Sequence, residues 1–230
     1  MFNMKFERYH FQLPYSYVFG AFGTIELLKN QKEKCLAILI DSSFCKNDAY
    51  DQILKLCENT SIEILIDDEL IEKIKDKGNI FVIGVFKKYE QSLSHKPHIL
   101  LSHINDVGQI GTIIRSMRGF NFENLVLIDC NIDLYDIHLI RSTMGAFFTI
   151  HMVSFSSLKN YLANYPNRNL INVYYGKSND ILKIKESFND SLSLLFSKNP
   201  THLKSIETYS FDKDIAFENM VNIILFQLYS

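Results

Sequence analysis

Residues 99–129 decide the fold, and they read ILLSHINDVGQIGTIIRSMRGFNFENLVLID. Two short apolar runs, at 98–101 and 124–128, have the length and composition of buried strands. Between them, a turn at 105–108 is followed by apolar residues at helical spacing from 110 to 119. A strand, a helix and a second strand in this order predict two neighbouring parallel strands joined by a helix.

The same alternation of strands and helices continues on both sides of this segment. Toward the carboxyl end, the pattern predicts helices at 137–144, 156–164 and 215–228 and strands at 149–153, 169–174 and 192–196. Toward the amino end, it predicts strands at 35–40, 61–66 and 80–86 and helices at 20–30, 48–57 and 67–77. A polar stretch around 91–97 separates the two halves. We therefore predict an α/β protein with a small α/β sandwich domain at 1–93 and a second domain at 97–230 that contains a mostly parallel sheet.

The overall charge places a limit on nucleic-acid binding. The formal net charge is −2 and the calculated pI is about 6.4. A stand-alone nucleic-acid-binding protein usually carries a marked basic excess, because neutralisation of phosphates supplies much of its affinity. The charge argues weakly against tight, non-specific RNA binding, and it is compatible with a local basic patch.

Several classes of protein are disfavoured by the distribution of particular residues. The four cysteines are isolated in sequence, so that neither a zinc knuckle nor a redox pair is indicated and reduced thiols in the cytoplasm are expected. His95 and His98 have no further ligand at a suitable spacing, and no metal site is expected. No apolar run approaches the length of a membrane helix. The aromatic residues between 2 and 19 either stack on RNA bases or, as we favour, anchor a terminal arm to the fold.

Two stretches of the sequence resemble a known family. In the first, 99–129, Asp106, Gly111, Arg115 and Phe120 match an Asp-Pro-x-Asn-x-Gly-x-x-x-Arg motif and the positions that follow it. The second, residues 136–153, reads DIHLIRSTMGAFFTIHMV, and it matches an Arg-Ser-Met-Gly-Ala-Phe motif in order and spacing. Both motifs resemble those of the SpoU/TrmH family of RNA 2′-O-ribose methyltransferases, in the SPOUT superfamily. The amino-terminal segment resembles, more weakly, a ribosomal-protein-like RNA-binding domain.

The resemblance implies a fold, a reaction and partners. The second domain is expected to be a trefoil-knotted methyltransferase fold that uses S-adenosylmethionine as methyl donor. RNA, either rRNA or tRNA and not DNA, is the expected substrate, and a homodimer formed through the apolar final helix is expected.

Arg115 is expected to bind or activate the ribose 2′-hydroxyl, with Gln109 assisting from the position of the motif asparagine. The residues alone allow a second interpretation, in which Arg115 and Arg141 are surface residues that make ordinary ion pairs. Arg141, Gly145 and Ala146 are expected mainly to support packing beside the cofactor loops.

The two motifs that bind the methyl donor in this family are poorly matched. The glycine-rich second motif aligns with LLFSKNPTHLK, so that Ser197, Lys198, Asn199 and Leu203 are the expected donor-binding residues there. The third motif aligns best at 216–220, which adds Ala216 and Phe217 and places Glu218 at the asparagine position. An alignment shifted by one residue would instead put Asn219 at that position. Three hypotheses stay open: an active RNA methyltransferase with a rearranged donor site, an inactive homologue that binds RNA or the ribosome, and a dimeric scaffold that does not bind RNA.

Overall fold

The chain forms two compact units whose boundaries interleave in sequence. The computed structural model describes residues 5–44, 47–76, 78–175, 181–198, 207–211 and 215–230. The first unit contains residues 1–90 together with 135–148, and the second contains 91–134 together with 149–230. None of the helices in these described ranges is long and apolar enough to span a membrane.

The first unit is built on a four-stranded mixed sheet. Its elements, in chain order, are β1 (Tyr15–Phe19), α1 (Ala21–Asn30), β2 (Cys35–Ile40), α2 (Asp48–Cys57), β3 (Glu63–Ile66), α3 (Asp68–Ile74), β4 (Val82–Lys87) and α5 (Ile137–Ser142). The strand order is β1-β4-β2-β3, with β4 antiparallel to β1 and β2, and β2 parallel to β3. Alternate residues of β2 and β4 pack with α3 and with Ile137 into one hydrophobic core. On the other face, Gly84 lies against Val18 and Leu27, which places α1 there.

The segment 135–148 completes the first unit, although it is far from residues 1–90 in sequence. The Ser16 hydroxyl donates to the Tyr135 carbonyl at 2.7 Å, and the Phe86 ring packs edge-on against Phe148 at 5.2 Å between centroids. The structure therefore departs from the predicted contiguous boundaries at 1–93 and 97–230. The physical reason is that the aromatic side chains of this segment fill the first core.

The second unit contains a six-stranded sheet in which all neighbouring strands are parallel. Its elements are β5 (His98–Ser102), α4 (Val107–Gly119), β6 (Asn124–Ile128), β7 (His151–Phe155), α6 (Leu158–Asn164), β8 (Asn169–Tyr175), β9 (Leu192–Ser197), β10 (Glu207–Phe211) and α7 (Phe217–Tyr229). The strand order is β10-β8-β9-β5-β6-β7, and every pairing is parallel. The prediction of an α/β fold with a mostly parallel sheet is confirmed.

Both faces of this sheet are covered by helices. Leu100, Val126 and Leu195 point to one face, where they pack with Tyr161 of α6. Because successive side chains of a strand alternate between faces, Leu101, Leu127 and Phe196 point to the opposite face. The buried residues of α4 and α7 cover that face, and these two helices pack against each other.

The structure contains two strands, β1 and β10, that the sequence pattern does not predict. β1 lies in the aromatic stretch that was interpreted as a terminal arm, and its Tyr15 and Tyr17 side chains are buried in the sheet core. Tyr15 and Tyr17 anchor this stretch as predicted, but they do so within a strand, which was not predicted. β10 has neither alternation nor an apolar run, and it forms by pairing with β8 at a distance in sequence.

Candidate functional site

The carboxyl ends of the parallel strands meet at one edge of the second unit. From β5 the chain proceeds to β6 and β7 on one side, whereas β8, β9 and β10 lie on the other side. Open α/β sheets bind ligands at the carboxyl edge where the strand order reverses in this way. Ser102 and Ser197 end the two adjacent central strands, and both side chains are buried. This edge is the candidate site.

Helix α4 starts at this edge, directly after β5. Asp106 caps it, because its carboxylate accepts hydrogen bonds from the amides of Gly108 at 2.8 Å and Gln109 at 3.0 Å. The cap explains why α4 begins at Val107, three residues before the predicted start. Gln109 is thereby held in the first turn, with its side chain half-buried.

Arg115 lies on the exposed face of α4. One of its terminal nitrogens donates to the Thr112 hydroxyl at 3.1 Å. Gln109 and Arg115 are six positions apart in α4. This spacing places them about 9 Å apart along the axis of an α-helix and about 120° apart around it. The structure therefore places both predicted catalytic residues on one helix, on neighbouring faces. The Arg115 side chain is exposed.

A polar cluster at the same edge was missed by sequence reasoning. The Ser102 hydroxyl lies 2.7 Å from His103 Nδ1, and His103 Nε2 lies 3.0 Å from the Asp129 carboxylate. His103 and Asp129 directly follow β5 and β6, and both have left-handed backbones with φ of 58° and 51°. The signal in the sequence was weak, because it consisted only of polar residues after two separate apolar runs. A histidine between a hydroxyl and a carboxylate can accept and pass on a proton.

The end of β9 supplies the first of the predicted donor-binding residues. The Ser197 hydroxyl donates to the Asn172 side-chain oxygen at 3.0 Å, a buried bond between neighbouring strands. Lys198 follows and is exposed. Asn199 and Leu203, the other two predicted residues of this stretch, lie outside the described residues.

The amino terminus of α7 supplies the remaining predicted donor-binding residues. Ala216 precedes the helix and provides no side-chain cap. Phe217 is buried, and its ring packs edge-on against Tyr175 of β8 with centroids 6.5 Å apart. The Tyr175 hydroxyl donates to the Ile215 carbonyl at 3.0 Å. Burial raises the pKa of Tyr175, and the nearby charge of Glu218 raises it further.

Two buried oxygens on α7 have no hydrogen-bond donor within the part of the chain that the structure describes. Glu218 Oε2 and Asn222 Oδ1 are inaccessible to solvent, and neither has a hydrogen-bond partner among the described residues. Residues four apart lie on the same helix face, so that both acceptors lie on one side of α7. Buried polar atoms in proteins are normally paired, so that these two oxygens are suited to accept hydrogen bonds from a further group.

The opposite, amino-terminal end of the strands contains a closed polar network. His98 Nε2 lies 3.0 Å from the Ser94 carbonyl, which can only accept, so that Nε2 carries the proton. His98 Nδ1 therefore accepts from the Tyr161 hydroxyl at 2.8 Å, which in turn accepts from Ser193 at 2.7 Å. Arg168 Nε donates to Ser193 at 2.9 Å. Burial lowers the pKa of His98 to about 4.

Comparison with known families gives a match over much of the second unit. The sequence profile described as the SpoU rRNA Methylase family matches residues 96–198. In this segment the chain is similar to the SpoU family. The match includes β5, α4 and β9 and ends before α7. Comparison with curated protein sequences gives no match.

Solved structures resemble the chain beyond the SpoU segment. The SpoU methyltransferase AviRb from Streptomyces viridochromogenes, in complex with the cofactor AdoMet, is 16% identical with a TM-score of 0.72, over 94% of this chain and 89% of that chain. An AdoMet-bound rRNA methyltransferase from Sinorhizobium meliloti is 15% identical with a TM-score of 0.71, over 94% and 87%. An RNA 2′-O ribose methyltransferase is 14% identical with a TM-score of 0.70, over 94% and 88%. At such low identity, the similarity shows a shared fold.

The Arg-Ser-Met-Gly-Ala-Phe motif lies in the segment 135–148 of the first unit. Gly145 has φ of 82°, and a Cβ atom there would lie 2.7 Å from Glu26 Cγ on α1. Only glycine combines this backbone with so close an approach. Ala146 is buried, and Arg141 is exposed beside Gly78. These contacts lie within the first unit, and the expected packing beside the cofactor loops stays a prediction.

Proposed function

We propose that the chain is an S-adenosylmethionine-dependent RNA 2′-O-ribose methyltransferase of the SpoU/TrmH type, acting in the cytoplasm on rRNA or tRNA. The observation that carries the proposal is the geometry of α4. Asp106 fixes the start of this helix at the carboxyl edge of the parallel sheet, and the helix then presents Gln109 and Arg115. These are the residues that the first SpoU motif requires at these positions, with glutamine in place of asparagine.

In this proposal, the residues of α4 position the ribose. Arg115 donates hydrogen bonds to the 2′-oxygen or to a neighbouring phosphate, since its planar guanidinium suits both acceptors. Gln109 assists with its side-chain amide. S-adenosylmethionine supplies an electrophilic methyl group when bound. The 2′-hydroxyl proton has to leave the oxygen as the new bond forms, and we assign it to His103, which Ser102 and Asp129 hold in place.

The residues around β8, β9 and α7 are suited to the methyl donor. Ser197, Lys198, Asn199 and Leu203 would supply one side of the site, and Ala216 and Phe217 the other. Phe217 and Tyr175 offer aromatic surface, and Glu218 Oε2 is a buried acceptor without a donor among the described residues. An aromatic surface beside an unsatisfied acceptor suits a ligand that combines an adenine ring with positively charged groups. The trefoil knot is part of this proposal, and its expected loops include residues outside the described ranges.

Two features support the proposed homodimer and the proposed RNA-binding role of the first unit. The exposed face of α7 carries Ile223, Phe226 and Tyr229, which are 41%, 58% and 60% exposed. Such an apolar stripe suits a contact with a second copy of the chain, as the proposed homodimer requires. The mixed sheet of the first unit has helices on both faces, which suits the proposed ribosomal-protein-like RNA-binding domain.

A second candidate function is an inactive homologue that binds RNA or the ribosome. The second SpoU motif favours it, because Pro200 and His202 replace glycines whose backbone freedom the family uses around the donor. A protein of this kind would bind RNA with salt-dependent affinity and would not bind the donor. A dimeric scaffold, a third candidate, would bind neither.

The test of the proposed function is methyl transfer by wild-type protein and by Arg115→Ala. Transfer from radiolabelled donor to total rRNA and tRNA should fall about 100-fold or more in the variant, while donor affinity stays within about twofold. Arg118→Ala is the matched control, because it removes another exposed arginine of the same helix. Normal transfer by Arg115→Ala would show that the role given to Arg115 is wrong. Donor binding without transfer to any RNA would favour the inactive homologue.

A further inference from the structure

Glu218 is an ionisable residue for which neither the fold nor the proposed reaction yet has a use. It lies in the first turn of α7, where the helix dipole favours negative charge. Its Oε2 atom is buried and lacks a donor among the described residues. A carboxylate oxygen that is hidden from water and unpaired opposes folding, unless another group compensates its charge. The arrangement therefore predicts a positively charged partner for this atom.

Among the described residues, Tyr175 lies near Glu218, but its hydroxyl donates elsewhere. The hydroxyl proton of Tyr175, whose pKa the Glu218 charge raises, is donated to the Ile215 carbonyl at 3.0 Å. One turn along the helix, Asn222 presents a second buried oxygen that has no donor within the described ranges. Two acceptors on one helix face, with the Tyr175 and Phe217 rings alongside, form an environment suited to a cation.

The location identifies which cation is expected. Glu218 adjoins Ala216 and Phe217, which the proposed function places in the donor site, at the carboxyl edge of the sheet. It stands where the third motif of the SpoU/TrmH family, on the better of two alignments, has an uncharged asparagine. The exchange of an amide for a carboxylate adds one negative charge. S-adenosylmethionine carries two cationic groups, the sulfonium and the α-ammonium.

We propose that Glu218 binds the positively charged methionine half of the methyl donor and thereby compensates for the glycines missing from the second motif. This inference rests on the proposed function, since it requires a donor site. It assigns a donor-binding residue that the family motif does not supply. Asn222 contributes its side-chain oxygen to the same cationic group.

The experiment compares three ligands by calorimetric titration of the full chain. S-adenosylmethionine has both cationic groups, S-adenosylhomocysteine keeps only the ammonium, and 5′-methylthioadenosine has neither. Glu218→Gln should weaken S-adenosylmethionine about tenfold or more and leave 5′-methylthioadenosine unchanged. If Glu218→Gln weakens S-adenosylhomocysteine as much as S-adenosylmethionine, Glu218 binds the ammonium. If the affinity for S-adenosylhomocysteine is unchanged, Glu218 binds the sulfonium. Glu218→Asp should recover part of the affinity.

Controls separate failure of this inference from failure of the proposed function. Glu63→Gln removes an exposed carboxylate from the first unit and should bind all three ligands as wild type does. If Glu218→Gln binds S-adenosylmethionine within twofold of wild type, or loses affinity for all three ligands equally, Glu218 is not the cation-binding residue. If the ligand-free Glu218→Gln variant melts at a lower temperature but keeps its ligand affinity, Glu218 forms an ion pair with a cationic side chain of the protein, and the inference is wrong. If wild-type protein binds none of the three at millimolar concentration, the proposed function itself has failed.

Discussion

The two ends of the parallel sheet in the second unit differ in how their polar groups are satisfied. At the amino-terminal end, His98, Tyr161, Ser193 and Arg168 form a chain of hydrogen bonds in which each donor has an acceptor. At the carboxyl end, Glu218 and its neighbour Asn222 keep acceptors that no described residue satisfies. We infer that the amino-terminal end stabilises the fold, whereas the acceptors at the carboxyl end are suited to the ligand that we propose. Substitutions at the first end should change stability, and those at the second should change binding.

The largest effect on stability is expected from Arg168→Ala. Arg168 donates to Ser193 and to the carbonyls of His95, Lys96, Asp190 and Leu192, at distances between 2.6 and 3.1 Å. Its removal leaves several partly buried acceptors without a donor, and the free energy of unfolding should fall by about 4 kcal/mol. Urea denaturation measures this change. Arg118→Ala, on the exposed face of α4, should change it by less than about 0.5 kcal/mol. A loss below about 1 kcal/mol for Arg168→Ala would contradict the proposed role of the network.

The next largest effect is a pH dependence that originates at His98. Its pKa is lowered to about 4 from an ordinary value of 6.5, mainly by burial. The unfolded chain therefore binds a proton at this residue between pH 6.5 and 4, whereas the folded chain does not. Neutral His98 therefore contributes about 3 kcal/mol to the free energy of unfolding. This contribution is fully present above pH 6.5 and is lost as the pH falls to about 4.

Paired variants isolate this contribution from other titrating groups. The difference in unfolding free energy between wild type and His98→Gln should shrink by about 3 kcal/mol from pH 7 to pH 4. His95→Gln, which changes an exposed histidine nearby, is the matched control. A constant difference for His98→Gln would mean that His98 is not held neutral.

The smallest effect is expected at the start of α7. Ala216 precedes this helix without a side-chain cap, in an extended conformation with φ of −63° and ψ of 145°. A serine there can accept a hydrogen bond from an amide of the first turn, and Ala216→Ser should increase the unfolding free energy by about 1 kcal/mol. Thermal unfolding without ligand measures the gain. No gain would indicate that another group already satisfies these amides.

The regular parts of the fold were predictable because their signals are local. The apolar runs of β5 and β6 and the helical spacing of α4 gave the elements that carry Gln109 and Arg115. The start of α4 lies three residues before the apolar periodicity begins, because the Asp106 side chain caps the helix. The strand β1 was missed because alternate buried tyrosines in an aromatic stretch were interpreted as an arm.

The remaining features depend on contacts between distant parts of the chain. Gly145 packs against α1, which lies more than one hundred residues earlier in the sequence. The motif around Gly145 therefore could not indicate that this segment belongs to the first unit. Ser102, His103 and Asp129 meet only because β5 and β6 are neighbours in register. The position of Glu218 was noted from the motif, but its burial became apparent only in the structure.

The most direct test of the account is amide hydrogen exchange of the full chain with and without S-adenosylmethionine. Saturating ligand should slow exchange in the first turns of α4 and α7, at 107–110 and 217–220, because these turns flank the proposed donor site. Exchange around Tyr161 and Arg168 should not change, since that end of the sheet is already closed. Unchanged exchange at all of these positions, or protection confined to the amino-terminal end, would contradict the account.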